Sequence, residues 1–422
     1  MKVTLINTSD SGGGAALACR RLMKALELKD IDVDMLVQTK SSDETHIHVN
    51  QESPLGKLKV QYDFLSERLP FIFFHEKDKS VRFAFSPANS GTDITGQETI
   101  SNADILHLHW TNSGFLSIDN LKQVLQLKKP IVWTLHDMWA FTGGCHYTGS
   151  CDHFMHQCGN CPFLKDHGEN DISHRGWLKK KSLYDQTENI VFVTCSKWLA
   201  DIAKKSSLLS SFRIETIPNP IDTTIFSPKD KTTIRRKWNI SPGAKIILFG
   251  AANIMDRRKG ITYLVDALSI FKDAYQGTDD VEIVIFGKNK SFNTAELPFR
   301  VHNLSVISSQ SDMAEIYSMV DVFVLPSLED NLPNTIMESM ACGTAAVAFN
   351  TGGIPDMIDH QQNGYLAGYQ DANDLALGIQ WVFDHHDLEL LSGNARKKVM
   401  ENFSNDIVAG QYIDLYQSIL NG

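Results

Sequence analysis

The chain has 422 residues, more than one hydrophobic core usually organises, so we expect at least two domains. Hydrophobic residues make up 42% of the chain and charged residues 21%, which is typical of a folded globular protein and excludes a disordered or collagen-like one. The formal net charge of -10 argues against a protein that coats nucleic acid, because such a protein needs a basic face.

The N-terminal residues lack the features of a secretory signal. Residues 1–7 form a short apolar run that ends in polar residues, without a long apolar core or a small-residue cleavage site. No uninterrupted apolar stretch approaches the roughly 20 residues that cross a bilayer. We therefore expect a cytoplasmic protein, at most in contact with the inner face of the membrane, in which unpaired thiols are normal.

The first half of the chain alternates strand patterns with helix patterns. Such an alternation predicts a parallel sheet that is covered by helices on both faces. The predicted strands cover residues 2–7, 32–37, 105–109, 131–135 and 190–195, and the predicted helices include residues 15–28 and 117–127.

A glycine loop at residues 12–14 separates the first strand from the first helix. Gly13 and Gly14 let the backbone approach a ligand closely, and the N-terminus of the helix offers N–H groups and positive potential. The loop therefore suits a phosphate. It lacks the G-x-G-x-x-G spacing of a dinucleotide site, however, and a purely structural tight turn has the same pattern.

The segment from residue 57 to residue 87 departs from this alternation, because it sets nine large apolar side chains among basic residues. We interpret it as a covering helix and loop whose aromatic side chains complete the first core. The alternative is an acceptor-binding or membrane-surface element. The nine side chains are Tyr62, Phe64, Leu65, Leu69, Phe71, Phe73, Phe74, Phe83 and Phe85.

A proline-rich loop at residues 217–228 is the best candidate for a domain boundary. We predict one domain over residues 1–218 and a second over residues 219–404. The alternation restarts after the loop, which predicts another α/β sheet. The predicted strands of the second domain cover residues 245–250, 281–286, 322–325 and 345–349, and its helices cover residues 260–274, 311–319 and 334–342.

Three adjacent cations, Arg257, Arg258 and Lys259, follow the first strand of the second domain and precede a helix. This position lets them point toward the carboxyl edge of the sheet, where folds of this kind bind ligands. A solvated turn would have the same pattern, so spacing alone does not separate the two interpretations.

The segment 326–344 reads PSLEDNLPNTIMESMACGT. It resembles the family 4 glycosyltransferases, whose second domain carries two acidic residues separated by seven, followed by a helix that ends in small residues and glycine. Asp330 and Glu338 have that separation, with aspartate in place of the usual first glutamate, and Gly343 closes the helix. The resemblance covers nearly the whole chain. It implies the GT-B fold, in which two Rossmann-like, doubly wound parallel-sheet domains face a central cleft and a C-terminal helix, here residues 405–422, crosses back to the first domain.

The resemblance also implies roles for the residues of this motif. Glu338 is expected to accept hydrogen bonds from the ribose of a nucleotide diphosphate sugar, and Asp330 is expected to lie at the donor sugar. Leu332 and the backbone amides of Asn334 and Thr335 are expected near the phosphates, which agrees with the affinity of a helix N-terminus for anions. Pro333, where many relatives have glycine, has no N–H to contribute.

Family members bind the pyrophosphate with an arginine and, six residues later, a lysine. Lys259 matches the lysine, but Asn253 stands at the position of the arginine, so we expect Arg258 or Arg257 to supply the missing charge. In the first domain, the resemblance makes His136 the histidine that contacts the donor sugar near the reacting centre. Asp137 would orient His136 or help to receive the proton of the acceptor.

Four cysteines follow closely in a C-x5-C-x6-C-x2-C pattern. Four converging thiolates can hold a tetrahedral zinc ion without an open catalytic position, so such a site would be structural. Disulfides are the competing interpretation, although a reducing cytoplasm disfavours them. Together with the neighbouring motifs, this loop resembles the subgroup that assembles bacterial surface polysaccharides, including colanic-acid-type enzymes. The four cysteines are Cys145, Cys151, Cys158 and Cys161.

The resemblance thus implies a retaining glycosyltransferase that moves a sugar to a saccharide or lipid-linked saccharide acceptor, with peripheral membrane contact and no nucleic-acid partner. Catalysis would rest on stabilising the departing nucleoside diphosphate with Lys259, a nearby arginine and backbone amides, and it would require no metal. Two alternatives remain: a sugar-nucleotide epimerase on the same fold, and a non-catalytic nucleotide-sugar-binding protein.

Overall fold

The computed structural model describes residues 1–276, 280–288 and 292–421. The chain divides into two compact units. Unit 1 consists of Met1–Pro218 and Val408–Gly422, and unit 2 consists of Asn219–Ile407.

Unit 1 contains a seven-stranded parallel sheet with the strand order β3-β2-β1-β4-β5-β6-β7. Its strands are β1 (Lys2–Ser9), β2 (Asp32–Thr39), β3 (Ile47–Val49), β4 (Ile105–Leu108), β5 (Ile131–Leu135), β6 (Ile190–Thr194) and β7 (Ile214–Thr216). Its helices, apart from the last helix of the chain, are α1 (Gly14–Glu27), α2 (Pro54–Pro70), α3 (Glu98–Ser101), α4 (Ile118–Leu125), α5 (Ile172–Tyr184) and α6 (Lys197–Lys205).

The sheet of unit 1 is covered on both faces, as the sequence predicts. Side chains of one strand alternate between two hydrophobic clusters: Leu5 belongs to the cluster that contains α1, whereas Ile6 belongs to the cluster that contains α4, α5 and α6. The central strand β5 is buried at all five positions, as expected for a parallel strand between two helical layers.

Unit 2 contains a six-stranded parallel sheet with the strand order β10-β9-β8-β11-β12-β13. Its strands are β8 (Lys245–Asn253), β9 (Val281–Lys288), β10 (Arg300–Asn303), β11 (Val322–Leu325), β12 (Ala346–Phe349) and β13 (Gly364–Ala367). Its helices are α7 (Lys231–Lys237), α8 (Ile261–Ala274), α9 (Gln310–Met319), α10 (Asn334–Ala341), α11 (Ala372–Phe383) and α12 (Leu388–Asn402). The predicted second α/β sheet is therefore confirmed.

The last helix of the chain, α13 (Asn405–Asn421), belongs to unit 1 from Val408 onward. Its Tyr412 and Tyr416 are almost completely buried in the same cluster as α1. The two tyrosine side chains therefore form part of the core of unit 1.

The segment that follows β3 does not have the environment that the sequence analysis favours. The helix α2 continues into a π-helical turn at Phe71–His75, and only Phe71 and Phe85 of the nine large apolar side chains are buried. The other seven are exposed by 37% to 71%, so the interpretation that they complete the core is wrong. The physical reason is that α2 turns polar side chains toward unit 1: Asp63, Glu67 and Arg68 are buried.

None of the helices in the described part of the chain combines the length and apolarity that a membrane crossing requires.

Candidate functional site

Three loops meet at the carboxyl edge of the sheet in unit 2. They follow β8, β11 and β12, and the carboxyl ends of neighbouring parallel strands lie at the same edge of a sheet. The backbone N–H of Leu328 donates to the carbonyl of Arg258 at 2.7 Å, and the N–H of Gly353 donates to the carbonyl of Asp330 at 3.0 Å. These bonds hold the loops against one another.

An ion pair joins two of the predicted site residues at this edge. The Lys259 ammonium lies 2.5 Å from Oδ2 of Asp330, and the hydroxyl of Ser327 donates to the same carboxylate oxygen at 3.2 Å. The two charged side chains are 20% and 12% exposed, so the pair is shielded but still open to solvent. A cation in this position can exchange its carboxylate partner for an incoming anion.

Two glycines allow the loops to approach so closely. Gly260 has φ of +69°, and a Cβ there would lie 1.9 Å from the carbonyl oxygen of Pro326. Gly352 has φ of +58°, and its Cβ would lie 1.9 Å from the carbonyl oxygen of Asp330. Only glycine fits either position. Gly352 was not among the predicted site residues, although the Gly-Gly pair after β12 is a signal for close backbone approach.

The N-terminus of α10 lies at the same edge, directly after the loop that carries Asp330. The helix starts at Asn334, and Pro333 occupies the N-cap without a side-chain cap. Amides in the first turn of a helix carry partial positive charge and point along the axis toward an anion. Asn334 and Thr335 are partly exposed, whereas Leu332 is buried and supports the turn.

Glu338 lies one turn further along α10, on the same side as Asn334. Glu338 is only 5% exposed, and its Oε2 accepts a hydrogen bond from the hydroxyl of Tyr317 at 3.0 Å. Tyr317, on α9, is completely buried. The tyrosine thus fixes the orientation of the predicted ribose-binding carboxylate. Nothing in the sequence signals this contact, because it joins two helices.

The arginine that was expected to replace the missing family arginine pairs locally. The Arg258 guanidinium lies 2.7 Å from the carboxylate of Asp256, which also caps the short turn at Arg257–Lys259. Asn253, at the position of the family arginine, is exposed, as is Arg257. Part of the charge of Arg258 is therefore neutralised by its neighbour, and Lys259 is the cation that the loop turns toward Asp330.

In unit 1, the carboxyl edge of the sheet carries stacked histidines. His136 follows β5 and His109 follows β4, and Nδ1 of His109 lies 2.9 Å from Nε2 of His136. The Sγ of Cys195 lies 3.7 Å from the other ring nitrogen of His136. His109 and Cys195 thus orient His136. Sequence reasoning overlooked both residues because they belong to different strand ends.

The histidine stack continues toward the last helix of the chain. The ring centroids of His107 and His109 are 4.3 Å apart. The two nitrogens of His107 lie 2.7 Å from the hydroxyls of Thr134 and Tyr416. The hydroxyl of Tyr412 lies 2.8 Å from Thr134. A buried polar network therefore links α13 to the strand ends of unit 1.

Burial keeps these histidines neutral. It lowers the pKa of His136 to about 4, against a partly opposing effect of the Asp137 carboxylate. Burial likewise lowers the pKa of His107 to about 3, with a further contribution from His136. At neutral pH the edge of unit 1 therefore offers uncharged hydrogen-bonding groups, which suit sugar hydroxyls better than phosphates.

Asp137 was expected to orient His136 or to help receive the acceptor proton, but its carboxylate is held by other residues. Its carboxylate accepts hydrogen bonds from Nε1 of Trp110 at 3.0 Å and from the backbone N–H of Trp139 at 2.8 Å, and it pairs with His146 at 2.7 Å. Burial alone would raise the pKa of Asp137, but His146 and the hydrogen bonds lower it below the usual range. The carboxylate therefore stays ionised next to the histidine stack.

The predicted phosphate loop of unit 1 leads into α1. Gly13 is the N-cap of this 14-residue helix, in an extended conformation with φ of -164°, and Gly14 is its first residue. Gly13 is exposed, and a Cβ added there would meet no atom within 4 Å. Packing within the described part of the chain therefore does not require glycine at position 13, and the space beside the loop is open.

The four cysteines do not form the predicted zinc site. No group of three or more His, Cys, Asp or Glu side chains among residues 1–276, 280–288 and 292–421 is arranged to hold a metal ion. Cys145 and Cys161 pack in a small cluster with Phe71 and Phe85, whereas Cys158 belongs to the main core.

The disulfide interpretation is not supported either, because none of the seven cysteines is joined to another by a disulfide bond. Burial raises the pKa of Cys158 to about 11 and that of Cys161 to about 12, so both are thiols at neutral pH. Three of the four cysteines are buried and Cys151 is partly exposed, and the Sγ of Cys158 accepts a hydrogen bond from the backbone N–H of Gly143 at 3.1 Å.

Two family models match the chain. One is described as Glycosyltransferase Family 4 and matches residues 12–225, half of the chain. The other is described as Glycosyl transferases group 1 and matches residues 244–385. The first match covers most of unit 1, and the second covers the strands and helices that build the edge with Lys259 and Glu338.

Curated relatives are similar over much of the chain. N-acetyl-alpha-D-glucosaminyl L-malate synthase of Bacillus anthracis is 25% identical over 370 residues, which is 84% of this chain and 86% of the relative. UDP-Gal:alpha-D-GlcNAc-diphosphoundecaprenol alpha-1,3-galactosyltransferase of Escherichia coli is 23% identical over 224 residues, 51% of this chain and 58% of the relative.

Solved structures share the fold. Sucrose-phosphate synthase from Thermosynechococcus elongatus matches 100% of this chain and 99% of its own with a TM-score of 0.69 and 20% identity. Anabaena HepE in complex with UDP and glucose matches 99% of this chain and 100% of its own with a TM-score of 0.66 and 16% identity. The two parallel-sheet, Rossmann-like units are therefore those of the GT-B fold.

Proposed function

Because the chain belongs to glycosyltransferase family 4, and is thus a glycosyltransferase that uses sugar-nucleotide donors, we propose that it transfers the sugar with retention to a lipid-linked saccharide. The observation that carries this proposal is the carboxyl edge of unit 2. A cation, Lys259, a helix N-terminus at Asn334 and a buried carboxylate, Glu338, occur there together. Each group suits a different part of a nucleoside diphosphate.

Unit 2 is proposed to bind the nucleotide. Glu338, oriented by Tyr317, accepts hydrogen bonds from the vicinal hydroxyls of the ribose. The diphosphate lies at the first turn of α10, where the amides of Asn334 and Thr335 and the ammonium of Lys259 face its charge. Arg258, already paired with Asp256, contributes to the electrostatic potential of the loop.

The chemical step breaks the bond between the anomeric carbon and the diphosphate oxygen and forms a bond from that carbon to an acceptor hydroxyl. Negative charge develops on the departing oxygen, so groups that are fixed in advance around the diphosphate lower the barrier. Lys259 and the N-terminus of α10 are such groups. The acceptor proton passes to the departing phosphate on the same face of the sugar, which gives retention. No metal is needed for this step.

Asp330 is proposed to lie beside the donor sugar. Its carboxylate is held by Ser327 and Lys259, so it accepts hydrogen bonds from sugar hydroxyls in a fixed orientation. When the diphosphate takes over Lys259, Asp330 becomes available to the sugar. The ion pair of the free protein therefore positions both groups before the donor binds.

For unit 1, we propose that the neutral imidazole of His136 makes a hydrogen bond to a sugar hydroxyl. Its tautomer is coupled to that of His109, because a hydrogen bond between two imidazoles requires one donor and one acceptor. The Gly13–Gly14 turn at the start of α1 is proposed to approach the donor phosphates. The ionised carboxylate of Asp137 lies next to His136 in the chain and stays bonded to Trp110 and His146.

The acceptor is proposed to be a saccharide on a lipid carrier, which places the enzyme at the inner face of the membrane as a peripheral protein. Support comes from the Escherichia coli relative, whose name specifies a UDP-Gal donor and a diphosphoundecaprenol-linked acceptor. The product would then enter the synthesis of a surface polysaccharide.

The test is a calorimetric screen of the protein against UDP-, GDP- and ADP-sugars, followed by transfer to a lipid-linked saccharide and NMR analysis of the new linkage. The proposal expects one donor class to bind and the product to keep the anomeric configuration of the donor. An inverted product refutes retention, and conversion of the donor without any acceptor would indicate an epimerase. Binding without turnover on any acceptor contradicts the enzymatic proposal.

A further inference from the structure

The helix α2 exposes an apolar stripe and buries polar side chains, the opposite of an ordinary surface helix. Its exposed side carries Leu55, Leu58, Tyr62, Leu65 and Leu69, at alternating spacings of three and four residues that place them in one stripe. These five side chains are exposed by 41% to 79%. A surface helix normally turns such a stripe toward the core.

The buried side of α2 is held by polar contacts. Glu67 is completely buried and accepts a hydrogen bond from the N–H of Gly114 at 2.7 Å, and Asp63 accepts hydrogen bonds from the hydroxyls of Ser90 and Thr92 at 2.9 and 3.0 Å. Buried polar groups with several partners fix the orientation of a helix, because turning it would leave those groups unpaired. The apolar stripe therefore faces outward as a built feature of unit 1.

Three aromatic side chains extend the stripe beyond the C-terminal end of α2. Phe73 and Phe74 lie in the π-helical turn and are 71% and 67% exposed, and Phe83 is 66% exposed. The carbonyl next to Phe83, that of Arg82, accepts a hydrogen bond from the guanidinium of Arg68 on α2 at 3.0 Å. We call the five side chains of the stripe and these three phenylalanines the α2 surface.

The α2 surface is unusual for the protein as a whole. Nine of the 21 exposed large hydrophobic side chains in the described part of the chain fall between Leu55 and Phe83, a segment of 29 residues. Concentrated exposure of this kind marks an interaction site, whereas single exposed apolar side chains need no explanation.

The charge around the α2 surface identifies its partner. Residues 54–83 contain six basic and four acidic side chains, a net charge of +2 in a chain of -10. Two of the acids, Asp63 and Glu67, are buried, and Asp63 pairs with Lys59 at 2.6 Å. The other exposed charges are mainly cationic: Lys57, Lys77 and Lys79, with Asp78 as the exposed acid. Cations that flank an apolar helix face are the pattern of segments that lie on anionic membranes.

We propose that the α2 surface is the membrane-docking surface of the protein, and that it inserts into the headgroup region of a bilayer that contains anionic phospholipid. The leucines and phenylalanines enter the boundary with the acyl chains, and Lys57, Lys77 and Lys79 contact lipid phosphates. A second copy of the chain is a poorer partner, because pairing two such surfaces would bring their lysines together. Membrane docking rests on the proposed function, because a lipid-linked acceptor is the substrate that the enzyme would meet at the membrane.

The experiment uses the full chain and vesicles in co-sedimentation, without donor or acceptor. Vesicles of phosphatidylcholine with phosphatidylglycerol are compared with vesicles of phosphatidylcholine alone. The paired substitutions Leu58→Gln with Leu65→Gln, and Phe73→Ser with Phe74→Ser, are each expected to weaken partitioning by about tenfold or more. The matched control, Leu388→Gln with Leu390→Gln, removes leucines of similar exposure, 55% and 54%, from unit 2 and is expected to bind as the wild type does.

A charge variant separates the two parts of the proposal. Lys57→Gln with Lys79→Gln is expected to weaken binding to the anionic vesicles about tenfold, with no effect on the weak binding to neutral ones. Equal binding of the wild type and this variant to both vesicles would overturn the electrostatic part. A wild type that binds no vesicles, or that forms dimers in light scattering which the leucine variant dissociates, would overturn the membrane assignment.

Failure of this inference can be distinguished from failure of the proposed function. All variants of the α2 surface are expected to bind the sugar nucleotide as the wild type does, because the substitutions lie outside the predicted donor residues. Transfer to a detergent-solubilised acceptor by a wild type that ignores vesicles would overturn the docking surface and keep the proposed function. Vesicle binding without transfer to any lipid-linked acceptor would overturn the proposed function and keep the docking surface.

Discussion

The carboxyl edges of the two sheets share an architecture and differ in chemistry. In unit 2, Lys259 and Asp330 form an ion pair next to a helix N-terminus. In unit 1, His109 and His136 are stacked with ring centroids 5.2 Å apart, and burial lowers the pKa of both, that of His136 to about 4. The edge of unit 2 thus carries an ion pair, and we call it the charged edge. The imidazoles at the edge of unit 1, the neutral edge, are uncharged at physiological pH, and the ionised Asp137 beside them is held by Trp110, Trp139 and His146.

In the proposed function, the two Rossmann-like units divide the work of glycosyl transfer along this difference. A diphosphate needs cations and aligned amides, which a charged edge supplies. A sugar hydroxyl needs oriented, uncharged donors and acceptors, because full charges would be expensive to desolvate around a neutral ligand. The proposed function places the nucleotide on unit 2 and sugar recognition at His136, and each prediction below changes one side of this contrast.

The largest effect is expected from the charged edge. Lys259→Ala should lower turnover about 100- to 1,000-fold, because a preorganised charge on the leaving group is lost and Asp330 is left without its cation. Steady-state kinetics with the donor identified in the screen measure this loss. Lys397→Ala, which removes a surface cation that is 69% exposed, is the control and should be unaffected. Full activity of Lys259→Ala would remove this residue from the mechanism.

The neutral edge is expected to act on turnover and not on nucleotide affinity. His136→Asn should reduce kcat about 100-fold, because an oriented hydrogen bond near the reacting centre is lost. The affinity for the free nucleoside diphosphate, measured by calorimetry, should stay within error of the wild type. The exposed His386 provides the control substitution His386→Asn. A loss of nucleotide affinity in His136→Asn would erase the contrast between the edges.

The neutral edge also predicts a pH-dependent stability of unit 1. The folded pKa of His107, about 3, lies below its ordinary value of 6.5, so the unfolded chain takes up a proton first as the pH falls. Stability contributed by His107 is constant above pH 6.5 and is lost as the pH falls from about 6.5 to about 3, by about 1.4 kcal/mol per pH unit.

Urea unfolding between pH 7.5 and 4.5, followed by hydrogen exchange of β4 and β5, measures this loss. His107→Gln destabilises the protein at every pH, but it should flatten the dependence on pH, and that slope is the readout. An unchanged slope would show that the histidine is not held neutral in the folded protein.

A smaller effect is expected at the ribose. Glu338→Ala should weaken nucleotide binding about 30-fold, and Tyr317→Phe, which removes only the hydroxyl that donates to Glu338, should weaken it about fivefold. Calorimetric titration measures both. Tyr369→Phe, at an exposed tyrosine of unit 2, is the matched control. Equal losses for Tyr317→Phe and Glu338→Ala would mean that the tyrosine acts on folding and not on orientation.

No effect is expected from chelators. If Lys259 and the N-terminus of α10 supply the positive charge for the leaving group, removal of divalent cations should leave turnover unchanged. Initial rates with and without EDTA, after dialysis, test this. Restoration of lost activity by Mg²⁺ or Mn²⁺ would show that the charged edge does not suffice.

Much of the fold follows from local patterns in the sequence. Strands such as β5 are short apolar runs between turn residues, and each strand-helix pair repeats the same signal, so both sheets could be predicted. The placement of Asp330 and Glu338 around the start of a single helix could be predicted, because both lie in one motif; their roles toward a donor stay predictions. Features that depend on a single segment of the chain can be predicted from the sequence alone.

The remainder could not be predicted because it depends on contacts between distant segments. Tyr317 reaches Glu338 from another helix, and His109 reaches His136 from another strand. The cysteine spacing suggested a metal, but the loop buries Cys158 in the core. The aromatic side chains of α2 suggested a core, because the polar partners that orient the helix, such as Gly114, lie far away in the sequence.

The division between a charged and a neutral edge is tested most directly by comparing a nucleoside diphosphate with its nucleoside. Calorimetry of UDP against uridine, and of GDP and ADP against their nucleosides, is carried out with the wild type and Lys259→Ala. The account predicts that Lys259→Ala weakens binding of the diphosphate that the protein selects by tenfold or more and leaves binding of the nucleoside unchanged. Equal losses for both ligands, or no loss for either, would contradict it.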